Sequence, residues 1–383
     1  MSKLSQTKIF LEDNNIRKSA FLVCLRYYSF RLKYKIGLLV YLENKLYDRK
    51  IDHTEFYNHL HSYIHSWKYL KSIKVYGFSK KWFFFHKIHY IFCKFLYPGL
   101  DASDYFRYEF YCLPHLKRKT FITEGKVGKL NAHFNPLNET TKSAYSLLDN
   151  KAKFNKHFSE WIHREWIDSA NSIDELVSFC LQKKVVFYKP LESAAGSGVE
   201  KIIFKDEKSA KSFVLNHKNL NYILEEIVVQ NKTMSLLNQT SINTIRINSI
   251  EYNGQIIITS AAIRFGKESS NVDNYSVGNY VASIDINTGK INSHAVNQKC
   301  EQIEKVSSTN TTLLGFQIPK WSEIKELVVK AHKKISNLRY IGWDIAINDK
   351  NEPLLIEGNT YAGAELQQHP SLEGKKYLYK KYW

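Results

Sequence analysis

The chain has 383 residues, 14% of them aromatic, and a net charge of +18, a length sufficient for two or three lobes with a substantial core. Its five cysteines, Cys24, Cys93, Cys112, Cys180 and Cys300, are odd in number, widely spaced and without a Cys-x-x-Cys, so neither a disulfide framework nor a zinc site is indicated. The N-terminus lacks the apolar core and small-residue cleavage site of a secretory signal, and no uninterrupted apolar run is long enough for a bilayer, so cytoplasmic residence is expected.

Charge is concentrated at the start. Residues 1–130 contain 24 Lys and Arg against 10 Asp and Glu, which is +14 of the total +18. Phe84, Ile88, Ile91, Phe92 and Phe95 fall on one stripe of a helix, and a mainly α-helical, basic N-terminal region is expected. Three readings stand: a lobe packed on the rest of the chain, peripheral contact with the inner membrane surface, or single-stranded nucleic-acid binding. Nucleic acid is the least favoured partner.

Beyond about residue 140, strand-like and helix-like segments alternate, as in an α+β domain. A helix is expected over about 172–181. Lys184-Val-Val-Phe-Tyr-Lys189-Pro190 then reads as a strand, followed by the small-residue stretch Ser193, Ala195, Gly196, Ser197, Gly198 and a second strand to Phe204. Such a loop lets backbone N–H groups approach phosphate oxygens, with Lys189 adding a point charge; a plain hairpin turn is the alternative. Neither the Walker nor the dinucleotide spacing is present.

Next, Tyr222-Ile-Leu-Glu225-Glu226-Ile-Val-Val229 reads as a strand whose adjacent carboxylates face opposite sides, one toward solvent and one toward a cleft; two surface acids are the alternative. The segment 241–250, with Asn243 and Arg246, and the segment 256–266, with Arg264, flank the turn Tyr252-Asn253-Gly254 and form a hairpin signal. Arginine suits bidentate contact with phosphate or carboxylate, and both arginines fall near strand ends. From Ser322, an amphipathic helix places Ile324, Leu327, Val328, Ala331 and Ile335 on one face.

That helix leads into Ile341-Gly-Trp-Asp344-Ile-Ala-Ile-Asn348, a turn, and Pro353-Leu-Leu-Ile-Glu357-Gly-Asn359. Residues i and i+2 of a strand share a face, so Glu357 and Asn359 project together, Gly358 leaves room between them, and a hairpin brings Asp344 alongside. Two carboxylates and an amide are oxygen donors for a hard divalent cation such as Mg²⁺, completed by polyphosphate and water; an exposed acidic hairpin is the alternative. The basic, aromatic tail from Lys375 docks or frays.

The order of these segments resembles the ATP-grasp superfamily, and within it the sugar-transfer-associated ATP-grasp family found among bacterial surface-polysaccharide genes. The resemblance rests on Asn150-Lys151-x-x-Phe154, Arg164-Glu-Trp166, Tyr188-Lys189-Pro190, Glu225-Glu226, Asn243-Thr-Ile-Arg246, Arg264-x-Gly266, Val272-Asp273-Asn274 with Gly278, and Gly342-Trp-Asp344 through Glu357-Gly-Asn359. It covers about 143–369. The resemblance implies an α+β ATP-grasp fold in which two α+β lobes clasp ATP: a catalytic region 131–383, with a small lobe at about 185–228 and a metal-binding lobe at about 240–370, after the basic region 1–130.

By the same resemblance, Lys151, Lys189 and the Ser193 to Gly198 loop would contact the nucleotide phosphates, and Glu225, Glu226 and the backbone of Ile227 would line the adenine. Asp344, Glu357 and Asn359 would hold one or two Mg²⁺ ions, with Mn²⁺ as an alternative. Arg246 and Arg264 would stabilise the transferred phosphoryl group or an acyl phosphate, and Asp273, Asn274 and Gly278 would cover the acceptor side. Where family members often carry paired glycines, Gly278 is followed by Asn279. The implied activity is carboxylate–amine ligation on a small-molecule or polysaccharide-precursor substrate. A kinase acting on a sugar or lipid-linked acceptor and a non-catalytic nucleotide-binding module are the alternatives.

Overall fold

The computed structural model describes residues 86–382 apart from 87, 88, 91, 92, 95, 98, 192–197, 268–272, 274, 276, 277 and 336. The expected stripe through Phe84 and Phe95, and the candidate residues Ser193, Ala195, Gly196, Ser197 and Asn274, lie outside the described residues. Two compact units divide the chain, Met1–Lys126 and Val127–Trp383.

In the first unit, helix α1 (Ala102–Arg107) starts at Asp101, whose side chain accepts from the Ser103 amide in a reciprocal cap with Asp104. A short exposed turn of helix, α2 (His115–Arg118), follows. The core is aromatic: Tyr97, Tyr105, Tyr108, Phe110 and Phe121 are buried together with Cys93 and Leu100. Among the described residues no helix is long and apolar enough to cross a membrane.

Helix α3 (Glu124–Phe134) contains the boundary, and α4 (Glu139–Asp149) and α5 (Lys151–His157) follow, capped by the side chains of Asn138 and Asn150. Strand β1 (Trp166–Asp168) opens a small antiparallel sheet of order β1-β4-β2-β3. Its helix α6 (Ile173–Lys183) begins with a Ser172–Glu175 capping box, as the sequence suggested for 172–181. Lys184 adopts a left-handed φ of 60° as the cap of α6, so β2 (Val185–Pro190) starts one residue later than the stretch read as a strand from Lys184. β3 (Glu200–Ile203), α7 (Glu207–Asn216) and β4 (Tyr222–Glu226) complete the layer, and the faces of α6 and α7 bury Leu176, Val177, Cys180, Ala210 and Val214 against Val186, Tyr188 and Leu224. The sheet and its helices thus begin at Trp166, before the expected start near 185.

A larger antiparallel sheet has the order β13-β12-β5-β6-β7-β8-β9. Its long hairpin joins β5 (Thr244–Tyr252) to β6 (Gln255–Phe265) through Asn253 and Gly254, both at positive φ, the backbone that a two-residue hairpin turn requires. After β7 (Tyr280–Ile284), β8 (Ala295–Val296) and β9 (Gln302–Ile303) extend the sheet, while β10 (Lys305–Val306) and β11 (Thr311–Thr312) form a separate ribbon. Helix α8 (Trp321–Lys333) buries Ile324, Leu327, Val328 and Ala331, the face read from the sequence. β12 (Tyr340–Ile347) and β13 (Pro353–Asn359) then pair antiparallel.

One face of the large sheet makes the main core: Ile245, Ile247, Ile263 and Trp343 pack with Leu148, Phe154 and Phe158 of the α4–α5 segment and with α8. Each such aliphatic side chain contributes about 1.5–3 kcal/mol on full burial. Gly358 belongs to this face. A Cβ there would lie 3.0 Å from Leu148 and 3.3 Å from Phe154, so this glycine admits α4 and α5 rather than making room between Glu357 and Asn359. Short helices α9 (Glu365–Gln368) and α10 (Lys376–Lys381) close the chain. The tail docks, with Tyr379 buried and its hydroxyl 2.5 Å from Gln367 Oε1.

Within this core His332 Nδ1 lies 2.7 Å from Ser249 Oγ, which accepts from Trp343 Nε1 at 2.9 Å, while His332 Nε2 lies 3.0 Å from the Leu338 carbonyl. The network orders a neutral imidazole and leaves no exposed nucleophile, because both Ser249 and His332 are buried. Burial lowers the His332 pKa from 6.5 to about 4. Neutral His332 is therefore favoured by folding, and its contribution, roughly 3 kcal/mol, is present above the unfolded value and lost as pH falls from 6.5 toward 4. Urea unfolding of wild type and His332→Gln across that window should show the slope in the wild type and a shallower one in the variant.

Candidate active site

Strand register assembles the polar face of the large sheet. Asp344 on β12 stands opposite Arg246 on β5 and opposite Glu357 on β13, so three charged groups form one row across three strands. The neighbouring row is Asn248, Gly342 and Asn359. Arg264 on β6 lies opposite Thr244, two residues before Arg246 and on the same face. Alternation within each strand and pairing between strands thus bring together residues separated by about a hundred positions in sequence.

Arg246 holds Asp344 with two donors, Nε to Oδ1 at 2.5 Å and Nη2 to Oδ2 at 3.0 Å, and Arg264 Nη2 adds a third at 3.0 Å. Arg264 also donates to Thr244 Oγ1 from Nε at 2.9 Å and from Nη2 at 2.6 Å, with its Nε 3.7 Å from Asp273 Oδ2. Asp273 in turn accepts from the Thr244 amide at 2.9 Å and from the Thr244 hydroxyl. The expected acceptor-side Asp273 is therefore tied to Asp344 of the β12–β13 hairpin through one arginine. Gly278 lies in the turn after it, its amide donating to the Tyr275 carbonyl at 3.0 Å.

The path of Arg246 depends on Gly342. A Cβ at Gly342 would lie 2.9 Å from Ala362 Cβ, 3.0 Å from Asn248 Oδ1 and 3.4 Å from Arg246 Cδ. Gly342→Ala is expected to cost about 1–3 kcal/mol by overpacking and to displace the guanidinium. Urea unfolding would measure the first effect and nucleotide affinity the second; an unchanged midpoint would show that the site has slack.

Burial works against ionisation of both carboxyls of the central row, but the outcomes differ. Arg246 and Arg264 outweigh burial at Asp344 and hold its pKa well below the usual range. At Glu357 burial and the Asp344 charge push the pKa up, and the two carboxyls share a hydrogen bond. Of the two carboxyls, Glu357 is therefore the one whose ionisation is disfavoured, and Asp344 the one held ionised. Asn359 Nδ2 reaches Glu357 Oε1 at 3.3 Å and the Gly342 carbonyl at 3.2 Å.

This donor set fits Mg²⁺. Two abutting carboxyls, one of which resists ionisation beside the other's charge, gain from a divalent cation that offsets their repulsion. Among the described residues no three His, Cys, Asp or Glu side chains form a metal cage. Mg²⁺ in general takes one or two carboxylates with phosphate and water rather than a cage of protein alone.

The small sheet supplies cations. Glu225 turns inward and is buried; its Oε2 lies 2.5 Å from Lys189 Nζ, and its Oε1 accepts from Arg164 Nη2 at 3.0 Å and Asn155 Nδ2 at 2.8 Å. Burial alone would raise its pKa, but Arg164 and Lys189 outweigh it and keep the carboxylate ionised well below the usual range. Lys151 Nζ reaches the Pro190 carbonyl at 3.0 Å, at the root of the small-residue loop. Burial lowers the Lys151 pKa, opposed by the charges of Glu357 and Glu225, with Lys189 adding to the lowering; these four groups thus act on one another where the two sheets meet.

The remaining candidates divide. Glu226 turns away from Glu225 to Lys183 at 3.0 Å and to the Glu165 amide at 3.0 Å, leaving it part of a half-exposed surface network. The one-in, one-out alternation is observed, and Glu226 pairs with Lys183 rather than with Lys151 or Lys189. Ile227 is half-buried just beyond β4, and Gly198 lies where the loop returns to β3. Arg164, Asn155 and Thr244 were not among the site residues read from sequence. Arg164 and Thr244 sit inside quoted motifs and Asn155 directly after one, but nothing local marked them, because their charged partners lie elsewhere in the chain.

The carboxyl row on the large sheet, with Lys151 at the start of α5 and Lys189 on the small sheet, has the arrangement of an ATP-grasp protein. The chain belongs to the sugar-transfer associated ATP-grasp family, which it matches over residues 130–378. None of the curated proteins compared matches it. Similar solved structures include the ATP-grasp ligase PsnB complexed with minimal precursor, Mg and ADP, at 14% identity over 63% of this chain and 60% of that one, with a TM-score of 0.39. An L-amino acid ligase from Bacillus licheniformis is 12% identical over 60% of this chain and 43% of that one, with a TM-score of 0.36. D-alanyl-alanine synthetase A from Vibrio cholerae O1 biovar eltor is 13% identical over 62% and 65%, with a TM-score of 0.39. In each case the chain spans less than two thirds of the solved protein.

Proposed function

We propose that this chain is an ATP- and Mg²⁺-dependent ligase that activates a carboxylate as an acyl phosphate for transfer to an amine or similar nucleophile, in the biosynthesis or modification of cell-surface polysaccharide. The carrying observation is the row of Arg246, Asp344 and Glu357, joined by Arg264, with Lys151 under the charge of Glu357 and of the Glu225 that holds Lys189. Lys151 and Lys189 bind the nucleotide phosphates. Asp344, Glu357 and Asn359 hold Mg²⁺, which neutralises charge on the β- and γ-phosphates when bound. Arg246 and Arg264 orient the phosphoryl group and disperse the negative charge that a loose transfer transition state spreads over its oxygens. No side-chain nucleophile is required.

The family association with sugar transfer supports the polysaccharide setting, and the charge of +14 in residues 1–130 supports peripheral contact with the inner membrane surface. The test measures ADP release from Mg-ATP with panels of sugar acids and amines. Release that requires both partners, with hydroxylamine replacing the amine to give a hydroxamate, is the expected result. A stable phosphorylated sugar or lipid product would identify a kinase instead, and nucleotide binding without turnover across a broad panel would identify a binding module.

A further inference from the structure

The chain crosses from the α5 region into the small sheet through 162–166, and at this crossing one side chain reaches both layers. Arg164 Nη1 donates to the Leu355 carbonyl of β13 at 2.7 Å and lies 3.4 Å from the Ile162 carbonyl. Its Nη2 donates to Glu225 Oε1 of β4 at 3.0 Å and to Asn155 Oδ1 at 3.3 Å. Leu355 lies two residues before Glu357 on the same strand, and Glu225 is the carboxylate that holds Lys189. The adjoining backbone is anchored too, since the Glu226 amide donates to the Glu165 carbonyl at 2.9 Å.

We infer that Arg164 is a positioning residue that aims Lys189 at the nucleotide and fixes the lysine-bearing sheet to the carboxyl-bearing strand. The physical argument lies in the guanidinium fork. A planar group with separated donors can hold a β13 carbonyl with one nitrogen and a β4 carboxylate with the other, whereas an ammonium offers a single centre. By occupying Glu225 Oε1 together with Asn155, Arg164 leaves Oε2 for Lys189 and fixes which way the carboxylate faces. Its side chain is buried to 2% exposure and that of Glu225 to 3%, so the pair is shielded from the water that would weaken it at a surface.

The inference rests on the ATP site proposed above, and the two can fail separately. Mg-ATP binding is measured by titration calorimetry for wild type, Arg164→Lys, Lys189→Met and the double variant. Arg164→Lys keeps the charge and removes the fork; a loss of affinity of about tenfold is expected, and little further loss when Lys189→Met is already present, because the effect of Arg164 runs through Lys189. A general structural role would make the two losses multiply. Asn155→Ala removes the other Oε1 donor without unpairing a buried charge, so it gives the same non-additive pattern at a smaller amplitude even where Arg164→Lys fails to fold. Multiplicative losses in both cycles, or unchanged affinity in Arg164→Lys and Asn155→Ala, overturn the inference while leaving the ATP reading intact. A wild-type chain that binds no nucleotide overturns both.

Discussion

Asp344→Asn is expected to remove Mg-dependent ATP binding and to destabilise the fold by about 3–5 kcal/mol, the range for breaking a buried charge pair from one side. The variant keeps the shape of the side chain but leaves Arg246 and Arg264, both near 10% side-chain exposure, converging on a neutral amide. Loss of affinity beyond about 100-fold is expected, more than removal of an outer partner of a metal ligand costs. Glu357→Gln is the informative contrast. Because burial and the Asp344 charge disfavour ionised Glu357, a neutral amide that donates to Asp344 suits the position, so the change in stability should stay under about 1 kcal/mol. Nucleotide affinity in Mg²⁺ should nevertheless fall, since an amide cannot supply the charge the ion requires. Urea unfolding and calorimetry of the two variants decide the matter: equal destabilisation by both substitutions would mean that the two carboxyls carry equal charge in the fold.

The same row of residues shows where sequence reading succeeds. β12 is buried along its whole length, and a lone carboxylate inside such an apolar run is conspicuous without a structure. The turn composition after Asn348 and the i, i+2 spacing of Glu357 and Asn359 then place the second carboxyl beside the first. The apolar face of α8 was equally legible, because its period is local to one helix. The ATP-grasp assignment followed from the order of such local signals and agrees with the family match.

What was not legible depends on pairing across long sequence separations. Arg246 and Arg264 read as two arginines near strand ends suited to phosphate or carboxylate, and in the structure both are engaged by the carboxylate of Asp344, a pairing the sequence did not specify. Strand register decides that, and register between β5 and β12 is set by core packing around Ile245, Ile247 and Trp343 rather than by any short motif. Arg164 carries a similar lesson: its nearest charged partner is 61 residues away. The early start of the small sheet was missed because β1 is three residues long and carries no alternating pattern of its own; pairing with β4 fixes it.

The second large effect concerns that buried partner. Glu225→Gln is expected to cost about 3–5 kcal/mol, because Arg164 and Lys189 would then face an amide whose own N–H₂ must oppose one of them. It also has a pH signature with a defined sign. The folded-state pKa of Glu225 is depressed below its ordinary 4.5, so its contribution is fully present above that value and is lost as pH falls below it toward the folded pKa. His332 acts in an adjoining window, its contribution disappearing between pH 6.5 and about 4. Urea unfolding of the wild type should therefore steepen its loss of stability below about pH 4.5, and Glu225→Gln should retain the His332 slope while flattening the region beneath it. A variant whose acid limb runs parallel to the wild type would mean that the Arg164–Glu225–Lys189 cluster does not stabilise the fold as an ionised unit. The lysine would then need some other group to hold it toward the phosphates.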